Sequence, residues 1–105
     1  MPRRLTFRSF GSHTDTPFTA YPDGRASAGV ELTLVEATDK TPAGFPGEQF
    51  SLIFKGPPEP RLPQRTYPMG HAELGDLDLF LVPVGRQDSH NFYEAFFNLL
   101  GSAEE

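Results

Sequence analysis

Eleven prolines and ten glycines are spread along the chain instead of pooling in one tract, and they divide it into short apolar segments. Proline removes a backbone donor and glycine weakens the interior of a helix or strand, so such punctuation confines each segment to strand-like length with a turn after it. In 105 residues this leaves room for one domain, 1–105, and one core. A domain of that size buries roughly two-thirds of the surface its unfolded chain exposes.

Ten Phe and three Tyr supply large groups for that core. The absence of cysteine removes disulfides, thiolate nucleophiles and thiolate-bound metals from consideration. A net charge of −5 opposes attraction to phosphate backbones, so nucleic acid is not an expected partner. The longest apolar run, Leu79 to Val84, contains Pro83 and is far shorter than a helix needs to cross about 30 Å of hydrocarbon. Arg8 and polar residues interrupt the first thirteen residues, which therefore do not read as a signal peptide. A cytoplasmic protein is expected.

Period-two alternation marks the strands. In Gly29–Ala37 the residues Val30, Leu32 and Leu34 share one face, after which the apolar phase shifts to Val35 and Ala37. A one-residue shift of this kind predicts a β-bulge near Val35. Gln49–Lys55 alternates through Phe50, Leu52 and Phe54 and stops at Gly56-Pro57-Pro58. In Gly75–Gly85 one face is Leu77, Leu79 and Leu81, while Phe80 and Val82 make the other apolar too. That pattern predicts a central strand covered on both faces. Leu5–Phe10, Pro17–Tyr21 and Thr66–His71 have strand composition, with Pro68 confining the last to an edge or bulged position. The expected class is all-β: a small antiparallel β-sandwich or partly open β-barrel of about six to seven strands.

No catalytic arrangement stands out. Asp88-Ser89-His90 contains the residue types of a hydrolase triad, but sequence neighbours point apart, and a polar hairpin loop is the better reading. Ser12-His13 lacks the surroundings of a nucleophile elbow. Asp76 and Asp78 read as a solvated strand end, and Lys55-Gly56-Pro57-Pro58 has no spaced glycines to cradle phosphate. Arg61 and Arg65 belong to a proline-rich connection and read as solvated. His71 and Glu73 lie two apart, a spacing that also suits metal ligands, yet a histidine bonded to backbone at the corner 71–75 is favoured. Neither a metal nor a cofactor is expected.

The segments Phe50–Pro57, Leu62–Tyr67, Leu79–Gly85 and Tyr93–Asn98, with His71 and Leu74-Gly75 between them, resemble a family of small bacterial domains of unknown function over roughly residues 28 to 98. Arg65, where the family commonly has glycine, and Phe96, in place of a smaller aliphatic residue, depart from that pattern. The resemblance implies a stand-alone all-β protein, often encoded beside proteins similar to phage tail-collar or tail-fibre components, with no established catalytic residue. It also favours a strand over Asn91–Gly101, although Phe92, Phe96 and Leu99 fit a helical stripe as well. Leu77–Val84 and Phe92–Leu99 are then expected to pair as an antiparallel hairpin across a loop at 85–91, with Pro83 at a bulge or its nitrogen turned from the ladder.

Within the same resemblance Gln64, Tyr67, His71, Glu94 and Asn98 recur as polar groups among apolar strands. They are the candidate ligand or partner residues, with a buried hydrogen-bond network as the favoured role. The expected function is a non-enzymatic structural or accessory protein-interaction module, with a protein partner in a larger, phage-tail-like assembly. The alternative is a small-ligand-binding β-barrel with a cleft lined by Phe54, Tyr67, Phe80 and Tyr93. An enzyme would require His71 to converge with Glu94 or Asp78. Nothing in the sequence sets the oligomeric state.

Overall fold

The computed structural model describes residues 5–100. A short helix α1 (Phe7–Gly11) precedes six strands, β1 (Pro17–Ala20), β2 (Val30–Asp39), β3 (Gly47–Gly56), β4 (Arg65–His71), β5 (Gly75–Gln87) and β6 (His90–Leu100). Every neighbouring pair is antiparallel, and the strands form one sheet in the order β1-β2-β3-β6-β5-β4 that closes into a ring. The all-β expectation therefore holds, as a single closed sheet and not two packed ones.

The longest ladder joins β3 to β6 from Gly47↔Leu100 to Gly56↔Asn91. β2 meets β3 with a register shift between Leu34 and Glu36, placing the bulge at Val35 where the apolar phase changes. β5 changes partners along its length, pairing with β4 up to Leu81 and with β6 from Val82. A second shift follows Pro83, so the proline sits at a bulge as expected. The ring closes between β1 and β4 through only two pairs, Thr19↔Gly70 and Ala20↔Met69. Pro68 lies just past that seam, where its carbonyl accepts the Tyr21 N–H at 2.8 Å. In a strand a residue's nitrogen and carbonyl face the same side, so the missing Pro68 donor falls where β1 has ended.

Inside the ring are Phe18, Leu32, Leu34, Phe50, Leu52, Phe54, Tyr67, Met69, Leu77, Leu79, Leu81, Tyr93 and Ala95, all buried in one cluster. Burying a side chain of this size contributes roughly 1.5–3 kcal/mol. Phe10 closes one end against Phe50, Phe97 and Phe18, with ring centroids 6.0, 5.3 and 6.4 Å away. At the opposite end of the β3–β6 ladder, Leu62 is buried and its N–H donates to the Tyr93 hydroxyl at 2.9 Å. The Tyr67 hydroxyl donates to the Pro63 carbonyl.

Three sequence expectations are corrected. Leu5–Phe10 does not form a strand. Thr6 caps α1, accepting from the Ser9 N–H at 3.3 Å while its own N–H donates to Ser9 Oγ at 3.2 Å, and helical spacing turns Phe7 and Phe10 toward the same side. The connection at 85–91 shrinks to a two-residue turn, Asp88-Ser89, because the ladder runs on to Gln87↔His90. Both turn residues have positive φ, 53° and 67°, the conformation whose twist matches a two-residue hairpin. Third, β5 is not covered on both faces: Phe80 is 50% exposed and Val84 49%, because the outer surface of the ring carries no second layer there. The strand reading of the C-terminal segment holds, with Tyr93 and Ala95 buried and Phe96 exposed.

Two consequences are measurable by urea denaturation. Leu79→Ala or Leu81→Ala is expected to cost about 2–5 kcal/mol, and Phe80→Ala between them well under half as much; equal costs would contradict the face assignment. Tyr93→Phe removes the acceptor of a buried N–H and is expected to cost about 1–3 kcal/mol, whereas a neutral result would show that Leu62 is not held there.

Candidate functional site

The five candidate polar residues fall on different parts of the molecule. Tyr67 and His71 belong to β4 and point inward, both buried. Glu94 and Asn98 lie on the outer side of β6, and Gln64 is exposed just before β4. Glu94 accepts a hydrogen bond from Ser51 Oγ at 2.6 Å, and Asn98 Oδ1 accepts one from Gln49 Nε2 at 3.4 Å. The favoured common network thus resolves into separate local bonds, because strand alternation sends Tyr67 and His71 to one face and Glu94 and Asn98 to the other. By the same parity His71 is separated from both Glu94 and Asp78. Phe54, Tyr67 and Tyr93 are fully buried core residues while Phe80 is outside, so the four do not line a common cleft.

His71 ends β4, and its Nδ1 accepts the backbone N–H groups of Glu73 at 3.0 Å and Leu74 at 3.2 Å. This is the backbone-bonded corner expected from the sequence. Two donors on Nδ1 leave the ring proton on Nε2, which donates to Thr16 Oγ1 at 2.9 Å. The Thr16 hydroxyl in turn donates a hydrogen bond to the His13 carbonyl. The His71 ring also lies 4.3 Å from Phe18 and 4.7 Å from His13. Burial pushes the His71 pKa below the ordinary imidazole value, His13 adds to the shift and Glu73 opposes it. Among the described residues no group of three His, Asp or Glu is placed to hold a metal ion, and the occupied Nδ1 makes His71 a poor ligand from that atom.

Arg25, in the β1–β2 connection, crosses the neighbouring strands. Its guanidinium donates to the carbonyls of Met69 at 2.7 Å and Leu77 at 3.2 Å, and lies 3.3 Å from Asp76 and 3.6 Å from Asp78. Both carboxylates are well exposed, so the carbonyl bonds carry more of the restraint than the ion pairs. At the turn end Asn91 is buried and its Nδ2 donates to the carbonyls of Pro57 and Pro58 at 3.0 and 3.1 Å. These clamps lie far apart in sequence and were not singled out beforehand. Nothing local marks either one: Arg25 sits in a connection, and Asn91 continues the polar run Arg86–His90.

The outer surface of β5 and β6 is of a different kind. The β5–β6 ladder stops at Val82↔Glu94, and two residues beyond that pair on each strand stand Phe80 and Phe96, 50% and 54% exposed. Phe80 pairs across to Thr66 on β4, and Phe96 across to Ser51 on β3. Half-buried Ile53 and Phe92 occupy neighbouring outward positions. Ser51 and Glu94, which share the hydrogen bond described above, lie among these outward positions. Elsewhere a depression bordered by Asp15, Glu31, Thr33, Lys55, Pro57 and His90 mixes both charges. A further one runs past Tyr21, Glu31, His71 and Asp76.

No helix among the described residues is long and apolar enough to cross a membrane. Neither a curated protein nor a solved structure gives a significant match to the chain. A family model described as a domain of unknown function, DUF6916, matches residues 5–97, which spans the whole ring except the end of β6. The chain belongs to this family, a domain of unknown function.

Proposed function

We propose that the protein is a non-enzymatic interaction module that docks a protein partner on the outer face of β5 and β6. The observation that carries this reading is the pair Phe80 and Phe96, each about half exposed in a chain whose other aromatics largely fill the ring. An exposed aromatic side chain gains little for the monomer, whereas burial of such groups against a partner is a common source of interface affinity. Ile53 and Phe92 extend the same surface at half burial. The outward charges around it are mixed, Glu36 and Glu94 with Lys55 opposite Phe92, and favour a partner with an apolar centre and a rim carrying both charges. A component of a phage-tail-like assembly is the partner class suggested by the resemblance of the sequence. The filled ring interior gives no comparable support to small-ligand binding.

The test compares the wild-type protein with Phe80→Ser/Phe96→Ser. Partners captured from cells that make the protein are identified, purified and titrated against both forms. The expected result is a complex with the wild type that weakens roughly 30-fold or more in the variant, the effect of losing one or two interface hot spots, with little change in unfolding midpoint. Equal affinity of the two forms, or failure of the wild type to bind any purified candidate, would overturn the proposal.

A further inference from the structure

The β4–β5 corner, the segment before β1 and the two-pair seam of the ring all meet at one imidazole. His71 Nδ1 accepts from the Glu73 and Leu74 N–H groups, and Nε2 donates to Thr16. Thr16 directly precedes β1, its carbonyl accepts the Leu34 N–H at 3.2 Å, and the neighbouring Asp15 N–H donates to the Leu34 carbonyl. Gly70, one residue before His71, forms one of the two seam pairs, with Thr19. Phe18, between Thr16 and that pair, packs on the His71 ring.

We propose that His71 is an acid-release latch: a proton on Nδ1 turns the acceptor that holds the β4–β5 corner into a donor, frees the corner, and opens the β1–β4 seam. The neutral ring satisfies every partner around it: two N–H donors on one nitrogen and a hydroxyl oxygen on the other. The cation presents a donor at Nδ1, where two N–H groups already point, so protonation sets three donors against one another. The loss is local because the ladders β2–β3 and β3–β6 do not involve this residue.

The charges around the ring modulate the latch without replacing it. His13 faces the ring from the segment before β1 and opposes the cation, while Glu73 on the corner itself favours it. Asp15 lies on the same segment as His13. Tyr21 from the end of β1, Glu31 from β2 and Asp76 from β5 border the depression that His71 lines. Asp76, and Asp78 beyond it, are engaged by Arg25. Burial lowers the titration of His71 in the closed ring below the ordinary value of 6.5. An opened or unfolded form then binds a proton that the closed form does not, over the interval between 6.5 and that lower value. The closed seam is accordingly at full strength above the ordinary value and weakens as the pH falls through the interval.

Nuclear magnetic resonance of the full chain tests this between pH 8 and pH 5. The ring nitrogens of His71 should show an unprotonated Nδ1 and a protonated Nε2 at pH 8. As the ring takes up its second proton, exchange protection of the Glu73 and Leu74 amides should drop at least ten-fold, along with that of the Tyr21 amide at the seam, while amides of the β3–β6 ladder keep theirs. In His71→Asn, whose carboxamide oxygen can accept the residue-73 N–H without titrating, these amides should lose that pH dependence. A His71 that titrates in the wild type with no change at Glu73 and Leu74 would overturn the latch, as would an equal acid response in the asparagine variant. The wild-type titration decides the matter even if the variant does not fold.

Discussion

A six-stranded sheet whose first strand is four residues long must be closed mainly by something other than backbone pairing. β1 meets β4 through two pairs, against a continuous ladder between β3 and β6. Side chains complete the closure. Phe18 reaches inward to Phe54 at 5.2 Å and to His71 at 4.3 Å, burying the inner face of the short strand. Arg25 clamps the outer rim to the carbonyls of β4 and β5, and the Tyr21 N–H adds a bond to Pro68 beyond the ladder. Closure removes the long exposed edges that an open sheet would leave for aggregation. The rest of the arrangement follows from it, since a ring assigns every alternate residue to an inside or an outside.

That assignment divides the aromatic residues by role. Phe18, Phe50, Phe54, Tyr67 and Tyr93 are fully buried in the ring, and Phe10 is buried at its end. Phe80 and Phe96, on the opposite parity of β5 and β6, remain outside. Polar chemistry is dispersed in the same way. Tyr67, Asn91 and Arg25 hold loops to strands, while Glu94 serves Ser51.

The strands of this protein were legible wherever one face was apolar and the other polar. Val30, Leu32 and Leu34, with the phase change to Val35 and Ala37, gave β2 its facing and its bulge, and Phe50, Leu52 and Phe54 gave β3 its facing. The hairpin of β5 and β6 was legible only in part: the two segments do pair, but from Val82↔Glu94 to Gln87↔His90, while Leu77–Leu81 pair with β4 instead. Its turn was missed because Arg86, Gln87 and His90 are polar enough to pass for loop while remaining in the ladder. Phe80 was misread because an apolar outward residue looks the same in sequence whether a second layer or solvent covers it. At residues 5–10 Leu5 and Phe7 suit the alternation of a strand while Phe7 and Phe10, three apart, suit a helix, and the reciprocal Thr6–Ser9 bonds tip that segment to a helix. For the candidate site the corner role of His71 could be read from its short-range neighbours. Its bond to Thr16, 55 residues away in sequence, could not, and neither could the separation of Gln64, Tyr67, Glu94 and Asn98, which depends on strand order and parity.

Residue-resolved amide hydrogen exchange at neutral pH tests the closed ring most directly, because it measures the opening free energy of each ladder separately. The account predicts intermediate protection at the seam, read from the Tyr21 amide that donates to Pro68, and the highest protection in the β3–β6 ladder, whose amides should exchange only on global unfolding. Tyr21 exchanging as fast as an unstructured amide would mean that the sheet is not closed. Protection at Tyr21 equal to that of β3 and β6 would mean that two pairs and the side chains around them are no weaker than a full ladder, contradicting the account from the other side.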